Sequence, residues 1–367
     1  PALIAAARAT PDPDATLARG LDLIESIARR ASYLALLAEH REALGRVARI
    51  IGASPWAAQF VTRHPILLDE LLDDRVLNAP PDWPAFQAIL DAQLATHRGD
   101  REQEMNVLRE QHQGQLFRLL AQDLGGRLSV ERLADHLTEL ADRMLDAALR
   151  LAWAQVREAK PSNGEAWPRP APAFAVIGYG KLGGKELGYA SDLDMVFLFD
   201  DADERAEETY MRLAQRVNSW LTTQTTAGPL FDTDLRLRPH GDKGLIAVSL
   251  AGFRRYQASE AWVWEHQALT RARFCAGDPA LGAAFEAVRE EILTRPRDPA
   301  ALAGEVLSMR RRLHDGHPNR SGLFDLKHDP GGMIDVEFIV QYLVLAHASA
   351  HRRLTGNLGN IALLGIA

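Results

Sequence analysis

The chain has 367 residues, 47 % hydrophobic and 25 % charged, which is the composition of an ordinary folded protein rather than of a disordered or membrane-embedded one. A formal net charge of -7 argues against sequence-independent binding to nucleic acid, which needs many lysines and arginines to neutralise phosphates. The single cysteine excludes an intramolecular disulfide framework, and no apolar run is long enough to span a bilayer, so we expect a cytoplasmic protein that contacts neither nucleic acid nor membrane.

The first 160 residues are predicted to form a helical domain, because apolar residues recur there at steps of three and four positions. One such stripe consists of Leu133, Leu137, Leu140, Met144, Ala148 and Leu151. Ser54-Pro55 and His64-Pro65 indicate helix starts, since proline fits the first helical turn, where its missing N–H is not needed. We interpret this region as an all-helical core without chemistry of its own.

The helical pattern breaks after residue 158. Lys160 to Gly164 contains a proline and a glycine, and Pro168, Pro170 and Pro172 follow, which leaves no room for a helix. We place a domain boundary there.

Strand signals appear beyond the break. Phe174–Ile177 is a short apolar run that ends in Gly178, and it predicts a buried strand. Leu193–Phe199 and Phe231–Arg238 predict two more strands.

Helical periodicity returns from about residue 276. We therefore expect a helical domain over 1–160, an α/β core over 173–275 and a helical region over 276–367, since a single core rarely grows beyond roughly 250 to 300 residues. The sequence stops at Ala367, directly after an apolar stretch with no closing cap. We therefore expect the last region to be truncated.

The segment from Gly178 to Asp194 is the most informative part of the sequence. It places a glycine-rich turn after one predicted strand and two carboxylates, Asp192 and Asp194, at the start of the next. Because side chains alternate along a strand, both carboxylates project from one face. Like charges so close are costly unless a cation lies between them, and magnesium commonly takes one or two carboxylates together with phosphate oxygens and water. The pair predicts a magnesium site suited to a nucleoside triphosphate.

The glycine-rich turn supplies the other half of such a site, because glycines let backbone N–H groups approach phosphate oxygens closely. The residues that we expect to bind nucleotide here are Gly178, Gly180, Lys181, Gly183, Gly184 and Ser191. The turn is not a Walker loop, since Lys185 is followed by Glu186 rather than by Ser or Thr, and no dinucleotide fingerprint fits it.

Charged residues alternate along the third predicted strand, so that Asp232, Asp234, Arg236 and Arg238 are expected to share one face. Asp234 is a candidate third metal carboxylate or the base that takes a hydroxyl proton. Arg236 and Arg238 are candidates for binding nucleotide phosphate or for pairing with carboxylates. A solvated face of an edge strand is the alternative interpretation.

Gly180-Lys181, ten further residues and then Asp192-Leu193-Asp194 resemble the signature of the polymerase-beta-like nucleotidyltransferase superfamily, although Lys181 stands where serine commonly follows the glycine. Longer segments resemble one family within it, the bifunctional glutamine synthetase adenylyltransferase and adenylyl-removing enzymes. These segments are Gly178-Tyr179-Gly180-Lys181-Leu182-Gly183-Gly184, Asp234-Leu235-Arg236-Leu237-Arg238-Pro239, Trp264-Glu265-His266-Gln267-Ala268-Leu269 and Asp329-Pro330-Gly331-Gly332 with Asp335, Glu337 and Phe338.

That family carries two similar nucleotidyltransferase halves, one that adds AMP from ATP and one that removes it by phosphorolysis. His266 and Asp329, in their segments, look more like the adding half, because the removing half would carry Arg and Gly at these positions. The resemblance implies an α+β fold, mostly α overall, in which a polymerase-beta-like core with a small mixed sheet lies between a helical N-terminal domain and a C-terminal helical bundle.

The resemblance also implies a reaction. Asp192 and Asp194 correspond to the paired metal ligands of the superfamily, and Asp234 to the third carboxylate of the catalytic site. A tyrosine hydroxyl of glutamine synthetase would attack the α-phosphate of ATP, and two magnesium ions would stabilise the attacking and leaving oxygens as pyrophosphate departs. Glutamine synthetase is then the protein substrate, the PII signalling protein a partner and glutamine an effector. The alternatives are the removing half, which forms ADP, and a regulatory module that binds nucleotide without turning it over.

Several residues of the resembling segments have no assigned role. Asp329 to Gly332 precedes an apolar helix predicted over Met333–His347, and its N–H groups either receive an anion or are capped in the ordinary way. Asp335 and Glu337 cannot share a helix face, so at most one points into a site. His266 either lines the nucleotide pocket or packs with its hydrogen bonds satisfied.

Overall fold

The structure of the chain is a computed structural model. The residues that it describes are 2–72, 77–158, 169–357 and 359–367. No helix among them is long and apolar enough to cross a membrane. Most of the proline-containing break, from Lys160 to Pro168, lies outside the described residues.

The chain forms two compact units. The first consists of Pro1–Leu140 and Gln224–Leu230, and the second of Ala141–Thr223 and Phe231–Ala367. The domain limits near residues 160 and 275 stay predictions.

The first unit is built from helices. They are α1 (Ala2–Ala7), α2 (Pro13–Ile27), α3 (Ala31–Glu39), α4 (Arg41–Ala53), α5 (Pro55–Arg63), a 3-10 helix (Pro65–Leu71), α6 (Trp83–Thr96), α7 (Arg101–Leu124) and the beginning of α8 (Val130–Glu158). The helix start predicted at Ser54-Pro55 is confirmed, and the Ser54 hydroxyl caps α5 by accepting the N–H of Ala57. The start predicted at His64-Pro65 opens a 3-10 helix.

Residues 224–230 join the first unit through buried polar side chains of α7. The Arg109 guanidinium is fully buried, and its Nε donates to the carbonyl oxygen of Gly228 at 2.6 Å. Gln113 donates to the carbonyl oxygen of Ala227, also at 2.6 Å. Because a buried arginine is costly unless its donors are satisfied, these bonds fix the segment against α7.

The second unit contains the sheet. Its strands are β1 (Phe174–Gly178), β2 (Leu193–Phe199), β3 (Thr233–Asp234), β4 (Ala247–Ser249) and β5 (Arg273–Gly277). They lie in the order β3-β2-β1-β5, and β4 also pairs with β2. β1 is antiparallel to β2 and β5, whereas β3 and β4 are parallel to β2, so the sheet is small and mixed, as expected. The strands predicted over 174–178 and 193–199 are confirmed.

Helices make up most of the rest of this unit. They are the end of α8, α9 (Gly180–Gly183), α10 (Ala206–Thr222), α11 (Leu250–Ser259), α12 (Val263–Leu269), α13 (Pro279–Leu293), α14 (Pro299–Gly316), α15 (Met333–His347), α16 (Asn360–Ile366) and 3-10 turns at Gly241–Lys243 and Arg352–Thr355. The predicted return of helices after residue 276 and the helix over 333–347 are confirmed. The chain is therefore an α+β protein that is mostly α.

The strand predicted over Phe231–Arg238 is confirmed only at Thr233 and Asp234, because β3 consists of these two residues. The Asp234 carboxylate accepts the backbone N–H of Arg236 at 2.8 Å, and this local bond bends the chain into a turn. His240 then takes a left-handed backbone conformation with φ of 63°. The four alternating charges therefore do not share the face of one strand.

The core of the second unit lies around the central strand β1, which has a neighbour on each side. All five residues of β1 are buried, which explains its unbroken apolar run in place of alternation. The rings of Phe174 and Phe197 stack across β1 and β2 with centroids 5.6 Å apart. This packing fixes the position of β2, the strand that carries Asp194.

Phe197→Ala is expected to destabilise the fold by about 3–5 kcal/mol, because it leaves a cavity at a fully buried site. Urea unfolding measures the change. Ile361→Ala is the control, because Ile361 is 79 % exposed and its truncation should change stability by less than about 0.5 kcal/mol. Similar losses in the two variants would contradict the assignment of Phe197 to the core.

Candidate metal and nucleotide site

Three carboxylates converge at one edge of the sheet. Asp192 immediately precedes β2, Asp194 lies within it, and Asp234 ends β3. Parallel pairing places Asp194 beside Asp234 in register. One carboxylate oxygen from each of the three residues lies within 4.8 Å of the other two. The structure thus brings together the three acids that the sequence singled out.

The three carboxylates differ in their electrostatic surroundings. Burial, together with the charges of Asp192 and Asp234, raises the pKa of Asp194 to about 6. The pKa of Asp234 is lowered instead, chiefly because the Arg236 guanidinium donates to both of its oxygens, with Nε at 3.0 and 2.9 Å. Of these two residues, Asp194 therefore carries the less compensated charge.

These residues fit a divalent cation. The donors are carboxylate oxygens, the hard ligands that magnesium prefers, and the partial exposure of the group leaves room for water and phosphate ligands. Arg236 occupies oxygens of Asp234 that a cation would use, but its side chain is 73 % exposed, so its displacement costs little packing. A cation between the acids would offset the burial and the repulsion that together raise the pKa of Asp194.

The glycine turn begins directly against Asp194. The Tyr179 N–H donates to the carbonyl oxygen of Asp194 at 2.8 Å. Gly180 has φ of 53°, and a Cβ there would overlap the Asp194 carboxylate, so this position requires glycine for two reasons. Lys181 is exposed, and its charge acts to lower the pKa of Asp194. The start of the turn and the carboxylates therefore form one site.

The other glycines of the turn lie against the protein interior. A Cβ on Gly178 would lie 2.5 Å from Cys275 Sγ, and one on Gly184 would lie 2.6 Å from the Arg271 guanidinium. A Cβ on Gly183 would overlap the Arg271 carbonyl oxygen. The N–H groups of Gly183 and Gly184 donate to carbonyls of the same turn. Packing thus accounts for these three glycines, and their contacts with nucleotide stay predictions.

Ser191 and the two arginines have separate local partners. The Ser191 hydroxyl accepts the N–H of Gly188 at 2.9 Å. The Arg236 guanidinium donates to the Asp234 carboxylate. Arg238 instead donates to backbone carbonyls of the turn that follows β3. The structure brings Arg236, but not Arg238, to the acidic group.

Within the segment Trp264 to Leu269, His266 and Glu265 have local hydrogen-bond partners. His266 Nε2 lies 3.0 Å from the carbonyl oxygen of Gln257, and burial lowers the pKa of its ring. The Glu265 carboxylate accepts the Tyr256 hydroxyl at 2.8 Å and also the N–H of Trp262. Both residues therefore have their hydrogen bonds satisfied among neighbouring helices.

Sequence reasoning missed Arg271, which precedes β5 and is buried. It pairs with Glu186, next to the glycine turn, and with Glu337 on α15. Asp335 faces elsewhere: it pairs with Arg310 and accepts the N–H of Gly331 at the start of α15, which is ordinary capping. For Arg271 the sequence offered only a weak signal, a charged residue between a helix and a strand.

An α+β unit with a small mixed sheet, a glycine turn and three converging carboxylates has the layout expected of a nucleotidyltransferase core. The family model described as glutamate-ammonia ligase adenylyltransferase matches residues 44–288. The chain belongs to this family.

Its relatives include proteins named "Bifunctional glutamine synthetase adenylyltransferase/adenylyl-removing enzyme". The one from Aromatoleum aromaticum is 60 % identical over 367 residues, which is 100 % of this chain and 38 % of the relative. Those from Bordetella bronchiseptica and Burkholderia mallei are 56 % and 54 % identical, covering 100 % and 96 % of this chain and 38 % of each relative. The chain thus spans about two fifths of the length of these relatives.

Asp194→Asn is expected to stabilise the metal-free protein at neutral pH. The ordinary pKa of 3.8 rises to about 6 in the folded chain, so folding favours the protonated carboxyl. Ionisation of Asp194 therefore destabilises the fold as pH rises from below 3.8 through about 6, and Asn removes this penalty. The thermal midpoint of the variant should exceed that of the wild type at pH above about 6, and the difference should shrink toward pH 4.

Asp315→Asn, at an exposed position of α14, is the control and should give no such pH-dependent difference. A gain for Asp194→Asn that is equal at both pH values would show that ionisation of Asp194 is not its cause.

Proposed function

We propose that this chain transfers AMP from ATP to a tyrosine hydroxyl of glutamine synthetase and releases pyrophosphate. The observation that supports the proposal most directly is the convergence of Asp192, Asp194 and Asp234 beside the turn at Gly180. The relatives are named for adding adenylyl groups to glutamine synthetase and for removing them. Because the chain spans 38 % of their length, the assignment of the adding activity to this portion is part of the proposal.

Two features of the sequence favour the adding half. His266 and Asp329 stand where the removing half is expected to carry Arg and Gly. The Asp329 carboxylate accepts the amide of Asn319 at 2.7 Å and the N–H of Asp325 at 2.8 Å, and so closes the loop before α15. A glycine at 329 would have no side chain to do this.

The residues of the site have different chemical roles in this proposal. Asp192, Asp194 and Asp234 would hold magnesium, two ions in this proposal, and the metal would supply positive charge near the reacting phosphate oxygens. Arg236 and Lys181 add positive charge for phosphate oxygens from the protein itself. Asp234, whose pKa is lowered, is ionised at neutral pH and can accept a hydrogen bond from the attacking hydroxyl.

The proposal also covers partners and location. Glutamine synthetase, as in the names of the relatives, is the protein substrate. The PII signalling protein as partner and glutamine as effector follow from the family resemblance and belong to the same proposal. We place the reaction in the cytoplasm, consistent with a chain that has a single cysteine.

The direction of the reaction can be tested in two parallel incubations. The chain is mixed with magnesium, ATP labelled at the α-phosphate and unmodified glutamine synthetase, and separately with adenylylated glutamine synthetase and phosphate. Label on the synthetase supports the proposal. ADP in the second mixture alone assigns the removing activity, and nucleotide binding without either product assigns a regulatory module.

Asp192→Ala is expected to lower AMP transfer by about a thousandfold or more, since several kcal/mol of charge stabilisation depend on the metal site. Initial rates of label transfer measure the loss, and circular dichroism checks the fold. Asp200→Ala is the matched control, because Asp200 is an exposed aspartate at the opposite end of β2. Full activity of Asp192→Ala would refute the metal-site assignment.

A further inference from the structure

A buried arginine lies between the glycine turn and α15. Arg271 is 9 % exposed. Its guanidinium pairs with Glu186, just after the turn, and with Glu337 on α15, the latter at 2.9 Å. The two acids come from segments far apart in sequence, so Arg271 links these segments directly.

The glycine turn is shaped around this arginine. Gly183 lies against the Arg271 carbonyl oxygen, and Gly184 lies against its guanidinium. Neither position has room for a Cβ unless Arg271 moves. The conformation of the turn therefore depends on both the main chain and the side chain of Arg271.

Further polar contacts strengthen the connection with the C-terminal helices. The Asn357 amide donates to the carbonyl oxygen of Gly183 at 2.6 Å. The Gln267 amide, on α12, donates to the Gln341 side chain on α15 at 3.0 Å. The back of the turn is thus held by residues from beyond the sheet.

Stability alone is a weak reason for this arrangement. Removing two acids and an arginine from water is costly, and apolar replacements of a buried ion pair are often neutral or stabilising. Glu186 and Glu337 retain side-chain exposures of 33 % and 31 %, which also weakens their pairing with Arg271 through solvent screening. The ion group instead specifies the relative positions of Glu186, Arg271 and Glu337, because a guanidinium forms hydrogen bonds in fixed directions.

The helix α9, a single helical turn, connects Arg271 with the candidate metal site. Its last residue, Gly183, lies on Arg271, and its first residue, Gly180, lies on the Asp194 carboxylate. A shift at one end of so short a helix moves the other end as well.

We propose that Arg271 and Glu337 are positioning residues that hold the turn Gly180–Gly184 in the conformation that receives the nucleotide phosphates. This inference rests on the proposed function, since it takes a nucleotide as the ligand of the turn. It assigns a role to Glu337, which acts through Arg271 and not as a metal ligand.

Glu337→Gln tests the role, because it keeps the size of the side chain and removes its charge. The Kd for a non-hydrolysable ATP analogue with magnesium and the KM for ATP should rise about tenfold, as expected for loss of a charge-assisted bond. The value of kcat should change less than about threefold, because the carboxylates of the metal site remain in place. Glu305→Gln, at an exposed position of α14 in the same unit, is the matched control.

Hydrogen exchange without nucleotide provides an independent readout. The N–H groups of Gly183, Gly184 and Glu186 donate to backbone carbonyls of the turn. In Glu337→Gln these amides should exchange about tenfold faster, while amides of β1 keep their protection. Glu337→Asp retains the carboxylate and should recover part of the protection.

The two readouts separate the possible failures. Unchanged exchange in the turn, or an unchanged Kd for the analogue, overturns the positioning role. A fall in kcat and thermal midpoint with unchanged KM also overturns it, because that is the effect of a merely structural ion pair. If the wild-type chain binds no ATP analogue, the proposed function fails and the phosphate role of the turn fails with it.

Discussion

Three carboxylates held close together at one edge of the sheet are the constraint on which the candidate site depends. Parallel pairing of β2 with β3 sets Asp194 beside Asp234, and Asp192 lies just before β2. The surrounding residues reduce the resulting cost: Arg236 pairs with Asp234, and Gly180 leaves space for the carboxylate of Asp194. Burial, together with the remaining charges of Asp192 and Asp234, raises the pKa of Asp194, so a divalent cation beside its ionised form would offset both costs.

The glycine turn connects the edge of the sheet that carries the three carboxylates with the rest of the unit, because the two ends of the turn contact different residues. Gly180 contacts the Asp194 carboxylate, whereas Gly183 and Gly184 contact Arg271. A run of glycines is usually taken to indicate phosphate binding, yet here most of them are required by close packing. The glycines at both ends of the turn are thus required by packing, and their contacts with nucleotide belong to the proposed function.

Local sequence patterns predicted much of this architecture, and a local side-chain bond and a non-local ion group account for what they missed. The apolar run at 174–178 and the helix over 333–347 depend on neighbouring residues, so periodicity was sufficient. The alternation of charged and apolar residues at 231–238 predicted a strand that is mostly absent. Asp234 accepts the backbone N–H of Arg236 and favours a turn, and the alternating pattern does not reveal this bond. The pairing of Arg271 with Glu186 and Glu337 joins residues far apart in sequence, and no local pattern contains it.

In the proposed reaction, the carboxylates themselves do not determine the direction of AMP transfer. A metal site that stabilises phosphoryl charge does so whether the attacking group is a tyrosine hydroxyl or orthophosphate. The two positions that the resemblance uses to tell the halves apart are not among these ligands: His266 packs against a backbone carbonyl, and Asp329 closes the loop before α15. A difference between the halves at these positions would therefore act through the placement of α12, which carries His266, and of α15, which follows Asp329. Within the proposed function, direction depends on how these helices shape access to the nucleotide, while the charged edge of the sheet supplies chemistry common to both reactions.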